Sequence, residues 1–253
     1  MTSSNYYNNK NILVIGGSFG IGEELCKELS NLGSNLAIVA RSKDKIDNLC
    51  KTLNGKHLSI ATDVSKKSDL NKLSATLGKK WKKIDIAIFC VGTYQPMNID
   101  NFDLQKAENI IDINLNSFLN FIDSFLPLLK EKKISHLAII SSVAGYFGMP
   151  NSLTYGASKA ALSNLSESLF HELRKYETKV QLINPGFVKT RLTDQNDFKM
   201  PGIISANKAA KLIIKQLPKN RFEIKFPFIF TSLVKILSIL PYKIRFFLLK
   251  NAK

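Results

Sequence analysis

Short apolar runs alternate with longer amphipathic stretches along most of the chain. The runs fall at Ile12–Ile15, Leu36–Val39, His57–Ala61, Ile84–Phe89, His136–Ile140 and Val180–Ile183. Several are apolar at successive positions rather than at every second one, which is the pattern of strands covered on both faces. The intervening segments, near Gly20–Leu32, Ser42–Leu53, Lys66–Leu77, Asn101–Leu129 and Leu153–Tyr176, repeat apolar residues at helical spacing. Strand and helix in alternation predict an α/β protein with a single doubly wound parallel sheet, Rossmann-like, and helices on both faces. After Ile183 the pattern loosens through Pro185–Met200. A helix near Ala206–Leu217, a short run at Phe222–Phe226 and an apolar, basic C-terminal segment follow. The expected organisation is a polar, loosely ordered tail over 1–10, a catalytic domain over 11–220, and a short strand with a helical extension over 221–253.

Composition narrows the function classes. At 253 residues, 45% hydrophobic and 22% charged, the chain buries a core, which excludes a disordered or collagen-like protein. Lys and Arg number 36 against 20 Asp and Glu, a formal charge of +16 that admits nucleic acid, an anionic membrane or an anionic cofactor as partner. The lysines are dispersed, and no aromatic-plus-basic recognition motif accompanies them, so nucleic acid is not expected. Cys26, Cys50 and Cys90 form no C-x-x-C pair and His57, His136 and His171 have no metal-spaced partner, so neither a disulfide framework nor a metal site is expected. Trp81 and most phenylalanines read as packing. The first ten residues lack an apolar signal region and no run reaches the roughly 18 residues that span a bilayer, which predicts a cytoplasmic protein.

Two clusters carry chemistry. Gly16-Gly17-Ser18-Phe19-Gly20-Ile21-Gly22 sits between the first strand and the first helix, where exposed N–H groups and the helix dipole favour a diphosphate; a tight turn without ligand has the same spelling. Arg41 ends the second strand, where a carboxylate would bond a ribose and a guanidinium would pair with a 2′-phosphate, so NADP is expected over NAD, with NAD left open. Alternatively, Arg41 only begins a solvated helix with Lys43 and Lys45. Tyr155 and Lys159 stand at i and i+4, hence on one helix face, and a nearby ammonium favours the phenolate. Tyr6 and Lys10 share that spacing by chance. Tyr155 differs in company, because Ser141-Ser142 ends the fifth strand and places a hydroxyl across a cleft from the phenol.

These motifs resemble the short-chain dehydrogenase/reductase family from about Asn11 to Arg191. Its T-G-x-x-x-G-I-G is similar to Ile15–Gly22, its Asp-Val to Asp63-Val64, its N-N-A-G to Phe89-Cys90-Val91-Gly92, and its Y-x-x-x-K to Tyr155 and Lys159. The family's P-G-x-V-x-T segment is similar to Pro185-Gly186-Phe187-Val188-Lys189-Thr190. The resemblance implies a Ser-Tyr-Lys-Asn tetrad of Ser142, Tyr155, Lys159 and Asn114. Tyr155 would exchange a proton with a carbonyl oxygen, Ser142 would orient that oxygen, Lys159 would lower the Tyr155 pKa and hold the nicotinamide ribose, and Asn114 would support a water chain. It implies cofactor contacts from Gly16, Ser18, Phe19, Gly20, Ile21, Gly22, Arg41, Asp63, Val64, Val91, Gly92, Tyr155, Lys159, Pro185, Gly186, Val188 and Thr190. Asn114 could instead be a buried polar residue held by backbone, and Ser141 could replace Ser142, although thirteen residues separate Ser142 from Tyr155 as the family has it.

The departures are Ile15 for Thr, Phe89-Cys90 for two amides, and Phe19 where some NADP-preferring members carry a base, which leaves Arg41 to select NADP largely alone. The implied activity is an NADPH-preferring oxidoreductase acting on a carbonyl or alcohol; the alternative is a non-catalytic nucleotide-binding sensor or scaffold. The Phe187–Ser205 segment, apolar at Phe187, Val188, Leu192, Phe198, Met200, Ile203 and Ile204, forms a lid in this family and points to a hydrophobic substrate unless these side chains pack on the scaffold. The C-terminus lacks the family's glycine-rich interface segment, so a homo-oligomer is expected as a dimer rather than a tetramer. Residues 226–250 combine base and apolar bulk, suiting peripheral membrane contact, a cap on the pocket or a dimer surface.

Overall fold

The computed structural model describes residues 3–250. Helix α1 (Ser3–Tyr7) is followed by β1 (Asn11–Ile15), α2 (Gly20–Asn31), β2 (Asn35–Ala40), α3 (Lys43–Thr52), β3 (Leu58–Ala61), α4 (Lys67–Lys80) and β4 (Ile86–Phe89). Next come α5 (Leu104–Ile111), a π-helical turn (Asp112–Asn116), α6 (Ser117–Lys130), β5 (His136–Ile140), α7 (Leu153–Glu172) and β6 (Lys179–Pro185). The remainder is β7 (Val188–Lys189), β8 (Ile204–Ser205), α8 (Ala206–Gln216), β9 (Glu223–Phe226), α9 (Phe228–Ile239) and α10 (Tyr242–Leu249).

Seven strands form one parallel sheet in the order β3-β2-β1-β4-β5-β6-β9. Its strands are apolar at successive positions because each face feeds its own core. Ile12 and Val14 pack with α2 and α8 on one side, and Leu13 and Ile15 with α4 and α6 on the other. Strand order reverses between β1 and β4, which opens a crevice beyond their carboxyl ends, the place where open parallel sheets bind ligands.

Several local features depart from expectation. The described part of the tail is not loose, and residues 1 and 2 lie outside the described residues: Tyr7 is fully buried and its hydroxyl donates to the Ile214 carbonyl at 2.7 Å, while the Lys10 ammonium lies 3.5 Å from the centre of the Tyr6 ring. The expected long helix over Asn101–Leu129 starts later, where the Asp103 side chain accepts the Lys106 N–H at 3.1 Å, and is interrupted by the π-turn. Strand β9, expected to belong to the extension, pairs with β6 in register Leu182 to Glu223, so the boundary at residue 220 falls inside the folded unit. Beyond Phe226 the apolar segment breaks at Pro241 into two helices. Where the family carries an amide, Phe89 packs 5.1 Å from Phe118 and 5.6 Å from Phe121, replacing polar bracing by an aromatic cluster.

His136 opens β5 fully inside the protein, and burial lowers its pKa to about 3. The native state therefore refuses a proton that the unfolded chain accepts below the ordinary value, so stability falls as pH drops below about 6.5. Between pH 7 and 5.5 the native chain is expected to lose about 1.3 kcal/mol more than the His136→Leu variant in urea unfolding. Equal losses in the two proteins would remove His136 as a source of acid sensitivity.

Candidate active site

A cleft of about 430 Å³ lies across the carboxyl ends of β1, β4 and β5. Its floor is the turn after β1. Gly16 has φ +92° and an added Cβ would stand 2.5 Å from the Cys90 carbonyl oxygen; at Gly22 it would stand 2.1 Å from the Gly16 carbonyl oxygen. Only glycine allows the turn to close this tightly against α2. No side chain caps α2 at Phe19, and Ser18, Phe19, Gly20 and Ile21 all line the cleft, so the open N–H groups of the first helical turn suit an anion. The Thr190 methyl lies 3.2 Å from where a Gly20 Cβ would be, which joins the floor to the segment after β6.

At one end the cleft is lined by Arg41, Asp63, Val64 and Ser65. Partial burial opposes ionisation of Asp63, but the Ser65 amide at 3.1 Å and hydroxyl at 2.7 Å, with the Arg41 charge, bring its carboxyl below the ordinary value. Arg41 is exposed at the end of β2.

At the other end α7 presents Tyr155 and Lys159 from successive turns of one face, toward the end of β5. The Lys159 ammonium is buried and donates to the Ile140 carbonyl at 3.2 Å, 5.8 Å from the centre of the Tyr155 ring. A Cβ on Gly92 would come within 3.3 Å of that nitrogen, so the chain passes there without a side chain. Ser142 lines the cleft with Tyr155, and its oxygen accepts the Ala144 N–H at 3.1 Å. Ser141 is used differently: its hydroxyl donates to the Lys159 carbonyl at 2.9 Å and fixes the backbone of α7. Of the two serines, Ser142 is the one whose influence on the phenol opposes the rise of its pKa.

The electrostatics invert one expectation. Burial raises the Tyr155 pKa, with the Ser142 hydrogen bond opposing, rather than a lysine lowering it. Burial also lowers the Lys159 pKa to about 8, against a small opposing influence of Cys90, whose own thiol is pushed up to about 12 and stays neutral. The phenol is thus a retained acid beside an amine that titrates near working pH.

Of the residues expected at the site, Gly16, Ser18, Phe19, Gly20, Ile21, Arg41, Asp63, Val64, Val91, Gly92, Ser142, Tyr155, Lys159, Pro185, Gly186, Val188 and Thr190 line the cleft; Gly22 and Asn114 do not. Gly22 lies under the turn. Asn114 is fully buried in the π-turn, where its Oδ1 accepts the Thr93 N–H at 2.7 Å and its Nδ2 donates to the Thr93 carbonyl at 3.0 Å and to Ser158 Oγ at 2.9 Å. It braces the wall from behind. Of the apolar lid residues only Val188 and Leu192 reach the cleft. Phe187 packs instead on Phe198 at 5.9 Å and on Phe230 at 5.4 Å. Thr62, Asn109, Asp112, Ile113 and Thr193 also line the cleft without having been expected, and three further residues stand beside the recognised motifs. Arg191 stands with its guanidinium 4.4 Å over the Phe19 ring, Tyr94 sits edge-on to Tyr155 at 4.8 Å, and Thr93 holds Asn114. Each lies within two residues after a recognised motif, at Thr190 or at Gly92, and that adjacency is the available signal.

A crevice at the reversal of strand order, floored by an uncapped glycine turn, belongs to the doubly wound nucleotide-binding α/β proteins. The sequence matches the short chain dehydrogenase family over residues 10–200. It is 32% identical over 158 residues to an uncharacterized oxidoreductase of Myxococcus xanthus, covering 62% of each chain. To an uncharacterized oxidoreductase of Staphylococcus epidermidis it is 28% identical over 205 residues, 81% of this chain and 89% of the other. A short chain dehydrogenase of Burkholderia cenocepacia, solved in complex with NADP, superposes with a TM-score of 0.81 at 18% identity over 92% of this chain and 94% of that one. The RhlG–NADP complex of Pseudomonas aeruginosa superposes with a TM-score of 0.79 at 26% identity, over 89% and 98%. The chain belongs to the short-chain dehydrogenase/reductase family, oxidoreductases that act on CH–OH and C=O groups.

Gly22→Ala forces a methyl group into the Gly16 carbonyl, an overpacking of about 1–3 kcal/mol. Its melting temperature is expected to fall by several degrees in a thermal scan, while Gly148→Ala, with open space around it, leaves the transition in place. An unchanged Gly22→Ala would contradict the packing described for the turn.

Proposed function

We propose that this protein interconverts a carbonyl and an alcohol with NADP(H) as hydride carrier, and that Tyr155 is its proton donor. The observation that carries this reading is that Tyr155 and Ser142 share the cleft wall with the buried Lys159 amine beside them. A nicotinamide bound in the cleft supplies the hydride in reduction and takes it up in oxidation. Because burial holds the phenol protonated at neutral pH, Tyr155 Oη gives its proton to the carbonyl oxygen as negative charge develops there. Ser142 Oγ donates a second hydrogen bond to the same oxygen and fixes its approach. Lys159, titrating near 8, returns a proton toward Tyr155, and Asn114 keeps the wall around it rigid through Thr93. In the oxidative direction the same groups act in reverse, with Tyr155 as base.

The uncapped start of α2 and the glycine floor fit the diphosphate of a dinucleotide. Arg41 supports a 2′-phosphate and hence NADP, and Arg191, held over Phe19, adds a second guanidinium near the floor. Leu192 and the Tyr94 ring support an apolar carbonyl substrate, although the lid lends less to this than its composition suggested.

Tyr155→Phe is expected to lower kcat by roughly 10²–10⁴-fold while leaving the Kd for NADPH within a factor of about two. Equal turnover in both proteins, assayed by NADPH consumption over a panel of ketones and aldehydes, would remove Tyr155 from the mechanism. Arg41→Ala is expected to weaken NADPH by about 10–100-fold and NADH little, the loss of a charge-assisted pair of about 1.5–3 kcal/mol. Parallel weakening of both cofactors would remove Arg41 from the selection.

A further inference from the structure

Ten of the seventeen exposed large apolar side chains among the described residues lie between Phe228 and Leu248. On α9 the exposed residues Ile229, Leu233, Ile236 and Ile239 recur at intervals of three and four, so they form one stripe. The two outermost, Ile229 and Ile239, are each 77% exposed.

Helix α10 is inverted relative to a water-facing helix. Its arginine points inward: Arg245 is 8% exposed, donates to the Ser238 carbonyl at 3.0 Å and lies 5.2 Å over the Phe147 ring. Its phenylalanines point outward, with Phe247 76% and Phe246 61% exposed. Such an arrangement is unfavourable against water and favourable against an apolar medium.

The unpaired charges around this surface are of one sign. No Asp or Glu occurs between Glu223 and the end of the chain. Lys225, Lys243 and Lys250 have no salt-bridge partner among the described residues. Two copies of this face would bring the unpaired cations Lys225, Lys243 and Lys250 together with no carboxylate beyond Glu223, already paired with Lys235, to offset them, on chains that each carry +16. An anionic headgroup layer supplies the missing charge, and acyl chains supply the apolar medium. Neither helix is long and apolar enough to cross a membrane, so the pair would lie in the plane of the surface.

We infer that α9 and α10 form an interfacial docking face for an anionic lipid surface. The inner side of α9 meanwhile touches the cleft's surroundings, with Phe230 against Phe187 and within 2.8 Å of where a Gly186 Cβ would be. One helix thus separates the docking face from the substrate end of the cleft, which suits a carbonyl compound held in the lipid phase. The docking itself does not depend on hydride transfer and is tested without it.

The experiment is flotation of the full chain with vesicles of phosphatidylcholine alone or of phosphatidylcholine with phosphatidylserine, at low and high salt. Partition onto the anionic vesicles is expected to exceed that onto the neutral ones by about tenfold and to weaken with salt. The double variant Ile229→Glu with Phe247→Glu is expected to reduce partition by at least about tenfold with an unchanged melting temperature, since both side chains are exposed. Lys243→Glu with Lys250→Glu tests the charge separately and is expected to abolish the preference for anionic vesicles. Absence of the native chain from the floated anionic vesicles, or equal flotation of the native chain and the Ile229/Phe247 variant, would overturn the inference. So would a sedimentation-velocity dimer that this variant splits, which would assign the face to a second copy.

Discussion

A buried ammonium sets the terms for the rest of this site. Taking a lysine out of water costs several kcal/mol unless its donors find acceptors, and Lys159 finds the Ile140 carbonyl at the end of β5. That bond requires α7 to lie against the carboxyl end of the sheet, and the Ser141 bond to the Lys159 carbonyl fixes the same turn from the backbone side. Gly92 leaves room for the amine, while Asn114 in the π-turn stiffens the Gly92–Thr93 segment from behind. Tyr155 then reaches the cleft because it is one turn earlier on the same face. Placement of the phenol follows from solving a desolvation problem.

The parallel sheet contributes by bringing every chemical element to one edge. Glycine turn, Arg41, Asp63, Gly92, Ser142 and the Pro185–Thr190 segment all follow the carboxyl ends of strands, although nearly 180 residues separate the first from the last. The edge of the sheet beyond β6 is completed by parts added late in the chain. Glu223 on β9 accepts from Tyr146 at 2.6 Å and Asn184 at 2.7 Å and pairs with Lys235 at 3.3 Å, so α9 is docked by a charged network as well as by Phe230. The same helix that packs on Phe187 and Gly186 inside is left apolar outside.

What was legible in the sequence was local. Strand runs, the glycine turn and the Tyr155–Lys159 spacing are each written within a few residues, and seventeen of the nineteen expected site residues line the cleft. What escaped depended on distant partners. Tyr7 orders the N-terminus because Ile214 offers a carbonyl 207 residues away. The pair β7 and β8, of two residues each, is too short to show a period, and the π-turn at Asp112–Asn116 reads as ordinary helix. The direction of the Tyr155 shift was misjudged for the same reason: a nearby lysine is visible in the sequence, whereas burial of the phenol is not. Apolar residues in the lid were counted correctly, but Phe187 turns to Phe198 and Phe230, a choice made by the C-terminal helices.

The most direct test is titration of the Lys159 amine itself, followed by NMR in the full chain and assigned by comparison with Lys159→Arg. Burial against the Ile140 carbonyl predicts a midpoint near pH 8. A midpoint at the ordinary lysine value of 10.5 would mean an amine in contact with water, and the arrangement of Tyr155, Ser142 and Lys159 described here would be contradicted.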